Sequence, residues 1–354
     1  MKSNIAKVSS KAGEITIVTL SNDSGASVKL SSLGAGIVSI IVPDDKGNMA
    51  DVTLGYADPA DYMADGPCAG KIPGRYANRI ANGEFILDGK TYHLPINNGP
   101  NHLHGGPDGF QNHIWTVSSV TESSVTFSLV SPEGDAGYPG QAEVSAEYTW
   151  SADNTLTLQL TAHATASTVI NLTNHTYFNL GGHDSGTALN HRLQLNASHY
   201  LPTDSNLTPT GEIASVKSTP MDFTAETVIG ERIGADFPAL KYGKGYDNCW
   251  VIDRRQQGTL TEAARLTDPE SGRVLKISTT QPAVQVYTGN WLEGCPKGKS
   301  GNSYHDYDAV AIECQNFPDA PNHGHFPSAI LRPGETYNHT IIFHFTTTAK
   351  QNSK

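Results

Sequence analysis

The chain has 354 residues, 37% hydrophobic and 17% charged, with 34 glycines and 20 prolines. Apolar and charged shares under the usual roughly 45–50% and 25%, together with abundant turn formers, argue against long helices. With 24 Lys and Arg against 35 Asp and Glu the net charge is -11, which offers no basic field to a nucleic acid, and no run reaches the about 18 apolar residues of a membrane span.

Short stretches of alternating apolar and polar residues, bounded by Gly, Pro, Asn and Asp, run from end to end and predict an all-β chain. Glu14 to Leu20 is the first strand. Phe85 to Leu87 and Thr91 to Leu94 flank Asp88-Gly89, a dipeptide that supplies the positive φ of a tight hairpin turn. Ile114 to Val120 pairs with Val125 to Val130, and Val144 to Trp150 with Leu156 to Thr161 across Ser151-Ala152-Asp153-Asn154. Later strands are expected at 193–195, 264–266, 274–277, 284–287, 310–313 and 340–345, the last rich in β-branched and aromatic residues. Between Phe223 and Leu240 the alternation breaks, and a short helical turn is expected. No repeat of about 20–50 residues and no low-complexity linker interrupts the pattern, so residues 1–354 read as a single domain of packed antiparallel sheets.

The opening Met1-Lys2-Ser3-Asn4 leads into no apolar core with a cleavage site, so a soluble cytoplasmic protein is the expectation. A monomer is the default, although no residue pattern sets the oligomeric state. Cys68, Cys249, Cys295 and Cys314 form no CxxC pair and read as free, buried thiols rather than a zinc site or a disulfide framework.

Chemistry is expected where polar residues interrupt strand patterning. The first such cluster links Gly74-Arg75-Tyr76-Ala77-Asn78-Arg79 with Asn101-His102-Leu103-His104-Gly105-Gly106, whose ends the Asp88-Gly89 hairpin brings together. The others are Asn174-His175-Thr176-Tyr177-Phe178-Asn179, Gly245-Tyr246-Asp247-Asn248-Cys249-Trp250, and Ala311-Ile312-Glu313-Cys314-Gln315-Asn316. Glu313 ends the apolar run Ala309-Val310-Ala311-Ile312. A carboxylate there reads either as half of a buried ion pair, for instance with Arg79, or as a general base whose pKa burial raises. Asp247 has the simpler reading of a turn residue bound to its own backbone. His102-Leu103-His104 has the spacing that opens a cupin metal motif, but in Gly105-Gly106-Pro107-Asp108 the Glu that should follow three or four residues on is missing or replaced, and no metal is expected.

Taken together, these clusters resemble the aldose 1-epimerases, also called galactose mutarotases, over nearly the entire chain. The resemblance is carried by Asn78-Arg79, Leu103-His104-Gly105-Gly106, Asn174 to Leu180, Gln285-Val286-Tyr287-Thr288-Gly289-Asn290 and Glu313-Cys314-Gln315-Asn316-Phe317-Pro318-Asp319. Glu133 to Gly140 and Phe326 to Glu335 also stand in the family order. The family implies a β-supersandwich with an open sugar cleft, Glu313 as catalytic base and His175 as catalytic acid. It further implies His104 as a second active-site histidine, and Asn78, Arg79, Asp247 and Gln285 as sugar-binding residues. Asn248 and Trp250 depart from the pattern around Asp247, and Cys314 beside the base is unusual, with a thiol open to oxidation if exposed.

The implied chemistry agrees with the residue types. Opening a pyranose hemiacetal requires a base for the O1 proton and an acid for the ring oxygen. Ionised Glu313 and protonated His175 meet that need, with an aldose as the partner and no metal, nucleotide or redox cofactor. Two other classes fit part of the pattern. A glycoside hydrolase would use Asp247 and Glu313 as its carboxylate pair, whereas a non-catalytic carbohydrate-binding protein would keep Trp250 and Trp291 for stacking without needing His175 and Glu313. An enzyme for a hexose 6-phosphate would need a basic cluster that the sequence does not show.

Overall fold

The computed structural model describes residues 1–11 and 13–348, whose regular structure is almost entirely antiparallel strand. A nine-stranded sheet runs in spatial order Thr116–Val120, Ser124–Ser131, Ala142–Trp150, Thr155–Ala164, Tyr337–Thr347, Arg273–Thr279, Thr261–Thr267, Arg192–Leu195 and Thr227–Val228. A six-stranded sheet runs Tyr177–Phe178, Val310–Gln315, Ala283–Tyr287, Asp247–Val251, His199–Leu201 and Ala214–Ser215. A five-stranded sheet takes Lys2–Ser10, Gly13–Ser21, Ser27–Ser31, Gly36–Pro43 and Met49–Asp51 in chain order.

Local patterning explains most of these strands. Ala142–Trp150 and Thr155–Ala164 bury every second residue, as expected of a pleated strand with one face on a core. Asp88 and Gly89 have φ of 52° and 79° and close the hairpin of Glu84–Leu87 with Lys90–His93, the twin positive values that a type I′ turn requires. The expected helical turn is a six-residue helix, Pro238–Gly243, preceded by a 3-10 turn at Ile229–Glu231. Lys2–Ser10 is a strand that alternation did not reveal. It is almost wholly exposed and is held by its nine-residue ladder with Gly13–Ser21.

All three sheets contribute to one apolar cluster, for example through Val28 and Ile40, Phe127 and Phe343, and Val286 and Ile312. Each such side chain contributes roughly 1.5–3 kcal/mol by leaving water. Its consequence for function lies in the six-stranded sheet. Val310, Ile312, Cys314, Val284, Val286 and Trp250 enter the shared core, so the alternate residues of the same strands point to the opposite face. Along that face Cys249 pairs with Gln285 and Gln285 with Glu313, while Asp247 pairs with Tyr287 one row away. Among the described residues no helix is long and apolar enough to cross a membrane.

Candidate active site

A cavity of about 870 Å³ opens over this face and is lined in part by Asn78, Arg79, His104, His175, Asp247 and Glu313. Its size falls within the roughly 300–1,000 Å³ common for small-molecule sites. The short pairing of Arg79–Ile80 with His102–Leu103 brings the Asn78-Arg79 and His104 segments side by side, as the intervening hairpin implied. Gln285 is the sequence-expected residue that does not line the cavity. It stands behind Asp247, donating from Nε2 to Asp247 Oδ1 at 2.7 Å.

Glu313 is 2% exposed, and its Oε1 lies 3.4 Å from His175 Nε2. Among the described residues its Oε2 has no hydrogen-bond partner. Burial drives the carboxyl well above its usual 4.5; the neighbouring Asp247 carboxylate adds to the rise and Arg79 opposes it. Burial likewise lowers His175 to about 4, with the Lys71 ammonium acting in the same direction. The free protein therefore favours a neutral Glu313 beside a neutral His175, which differs from the ionised pair expected from the sequence. Both arrangements hold the same number of protons, so the difference is the position of one proton between adjacent groups.

The ion pair considered between Glu313 and Arg79 is not formed. Arg79 Nη2 lies 3.7 Å from Asp247 Oδ2, and Arg79 Nε donates to Asn98 Oδ1 at 3.1 Å. Asp247 is no turn residue either: it opens a strand, and its carboxylate is held between Gln285 and Arg79.

His104 accepts a hydrogen bond at Nδ1 from the Asn78 backbone N–H at 3.0 Å. An accepting nitrogen carries no proton, so the neutral ring must carry its proton on Nε2 and act as a donor there. Burial, and the His175 ring 5.2 Å away, hold its pKa well below 6.5. This decides the metal question. Ligand atoms of His104, His175 and Glu313 lie within 4.8 Å of one another, but a metal-bound histidine donates from its other nitrogen, and the other nitrogen of His104 accepts. The donor set does not suit a metal. His102 is structural, bridging the Pro95 carbonyl and the Tyr138 hydroxyl at 2.7 and 2.8 Å.

Other family-like segments also serve the scaffold. Arg75, 2% exposed, donates to the Pro139 and Gly140 carbonyls at 2.8 Å each and so anchors the Glu133 to Gly140 segment. Trp250 is fully buried, with Nε1 on the Met221 carbonyl at 2.9 Å, and is unable to stack on a sugar. Trp291, 50% exposed, stands at the cavity wall. Cys314 is 1% exposed and burial pushes its thiol up to about 12, so the expected sensitivity to oxidation does not apply. All four cysteines are free.

Sequence reasoning passed over Asn98 and Leu207, which also line the cavity, and gave no role to Tyr177 and Tyr287, although both stand in the motifs it singled out. Leu207 has a φ of 61°, a left-handed conformation that is unfavourable for a branched side chain; its placement by a tight turn carries no local apolar signal. Gly105 has a clear steric role. Its φ is 79°, and a Cβ there would lie 1.7 Å from the Gly74 carbonyl oxygen. Gly105→Ala is expected to push the His104 loop away and lower the melting temperature by several degrees. Thermal melting checks this, and melting indistinguishable from wild type would mean that the loop relaxes without strain.

Comparison with known proteins finds relatives along nearly the whole chain. A sequence profile of the aldose 1-epimerase family matches residues 16–344. The chain is 42% identical to a galactose mutarotase from Sus scrofa, covering 95% of this chain and 96% of that one. It is 36% identical to an aldose 1-epimerase from Escherichia coli (strain K12), covering 93% and 94%. Among solved structures, an aldose epimerase homologue from C. elegans superimposes with a TM-score of 0.86 at 32% identity, covering 97% and 99%. Fold and sequence thus converge, and the chain belongs to the aldose 1-epimerase family.

Proposed function

We propose that the protein is a mutarotase that interconverts the α and β anomers of an aldohexose such as galactose or glucose. The observation that carries the reading is the 3.4 Å contact between Glu313 and His175 on the cavity wall, an acid and base pair that shares one movable proton. When a sugar replaces water and offers its hydroxyl dipoles, the proton moves to His175. Glu313 then takes the proton from O1 as the C1–O1 double bond forms, the C1–O5 bond breaks, and His175 delivers its proton to O5. Rotation about C1–C2 presents the other aldehyde face, and the reverse steps reclose the ring.

The surrounding residues suit this chemistry. His104, a neutral donor at Nε2, stabilises negative charge developing on a sugar oxygen. Asn78, Arg79 and Asp247 hold the ring hydroxyls so that only the aldehyde end turns, while Gln285 keeps the Asp247 carboxylate aimed. Among the described residues Arg79 is the sole lysine or arginine in the lining, which also carries Asp61, Asp247 and Glu293. That balance favours neutral sugars over sugar phosphates. The whole chain acts as one domain, a reading supported by a core cluster that extends from Val18 to Phe345.

Polarimetry on freshly dissolved α-D-galactose and α-D-glucose tests the proposal. Faster approach to anomeric equilibrium than the spontaneous rate is expected, with an aryl glycoside left intact. Release of the aryl group would favour the hydrolase class instead, and sugar binding without acceleration would leave a binding protein.

A further inference from the structure

Leu207 is a leucine where the backbone calls for glycine or asparagine. Its φ of 61° lies in the left-handed region, where Cβ crowds the following carbonyl. Asn206, of a type that tolerates this conformation, stands one position earlier and does not adopt it. The turn is firmly held. Asp204 Oδ1 accepts from the Asn206 and Thr208 N–H groups at 2.8 and 3.1 Å, and the Leu207 N–H donates to the Asp204 carbonyl at 3.0 Å. Asn101 Nδ2 donates to the Thr208 hydroxyl at 2.8 Å and to the Asn206 carbonyl at 3.3 Å. Asn101 directly precedes His102–Leu103, which pairs with Arg79–Ile80, so the framework that positions Arg79 and His104 also fixes Leu207. Strain of this kind persists only where the surroundings over-determine it, and it concentrates at ligand sites. The Leu207 side chain stands in such a place. It is half-buried and lines the cavity with Asn78 and Asp247. It also lines a closed recess, shared with Asn78, Asp247 and Gln285, that has no room for a water molecule. An apolar group at that boundary lowers the local dielectric and strengthens the hydrogen bond from Gln285 to Asp247.

We propose that Leu207 is a substrate-binding residue: its side chain is the apolar wall beside Asp247 against which the C–H face of the aldose ring packs, and the strained turn is kept because it aims the leucine there. The inference rests on the mutarotase reading. A pyranose carries its hydroxyls around the rim and C–H groups on its two faces. A site that met only the hydroxyls would leave those faces against water, whereas small-molecule sites usually combine an apolar lining with a few placed polar groups. Ring opening changes bonds at C1 and O5, away from the hydroxyls that Asp247 holds. The contact with Leu207 is therefore equally strong in substrate and transition state, and its loss raises KM rather than lowering kcat.

Leu207→Ala and Leu207→Gly separate this role from one in folding. Both remove the wall, but only glycine also relieves the backbone. KM for galactose is expected to rise about tenfold in both, the usual loss when a few carbons leave a binding pocket, with kcat little changed. The glycine variant is expected to melt above the alanine variant, and Leu207→Met, which keeps an apolar side chain of similar volume, to hold KM near the wild-type value. An unchanged KM in the folded alanine and glycine variants overturns the proposal, whatever their melting temperatures. Should neither fold, the wild type still provides a test with the cyclic anhydroalditol of galactose, which lacks O1 and so does not ring-open. Intermolecular NOEs between its ring C–H protons and the Leu207 methyl groups are expected, and their absence at saturating anhydroalditol overturns the proposal equally. A wild type that gives these NOEs without accelerating anomer exchange would sink the mutarotase reading and leave the contact standing. An active wild type whose KM survives the loss of the leucine would remove only the role of Leu207.

Discussion

Glu313→Gln is expected to lose about 10²- to 10⁴-fold in kcat for anomer exchange, the range typical when a positioned general base is removed, while melting no lower than wild type. The amide keeps the shape of the carboxyl and can still meet His175 Nε2, but it is unable to take the O1 proton. The stability prediction follows from burial. The wild-type carboxyl is held well above its usual 4.5 in the folded protein, whereas in the unfolded chain it ionises near that value. Below about pH 4.5 both states are protonated and the group has no effect. As pH rises the unfolded chain releases this proton and the folded protein keeps it, so this group lowers stability until the folded carboxyl itself ionises. Glutamine removes that effect. The variant's advantage in melting temperature is therefore expected to widen from pH 5 to pH 8, a cost in stability accepted for activity. Parallel melting curves across that range would show that Glu313 ionises as an ordinary carboxylate. Unchanged kcat would remove it from the base role.

His175→Asn is the second large effect, with an expected loss of about 10²- to 10⁴-fold, and the wild-type pH profile carries the same argument. On the proposed mechanism the Glu313 and His175 pair has to hold one movable proton. A second proton enters as pH falls through about 4, after which no base remains, so kcat/KM is expected to fall only on the acid side of that value. The movable proton departs at the raised value of Glu313, so the alkaline limb lies well above the ordinary carboxylate range. A plateau through neutrality is the expected profile, measured by polarimetry with the spontaneous rate subtracted. An acid limb centred near 6.5 would instead describe a solvent-exposed histidine and would contradict the burial argument.

The sequence by itself determined the strand content and the Asp88-Gly89 hairpin, and it brought Glu313 and His175 forward as candidates. These are local or compositional properties: alternation follows from the two-residue period of a strand, and a carboxylate at the end of Ala309 to Ile312 is conspicuous because nothing in that run explains it. Tertiary structure alone decided the remainder. Register between distant strands set Gln285 behind Asp247 and next to Glu313. Packing turned Trp250 into core and left Trp291 at the cavity wall. A single backbone N–H on Asn78 fixed the tautomer of His104. Protonation was also a tertiary property, because the pKa of Glu313 depends on desolvation by residues from several strands, which no local stretch of sequence encodes.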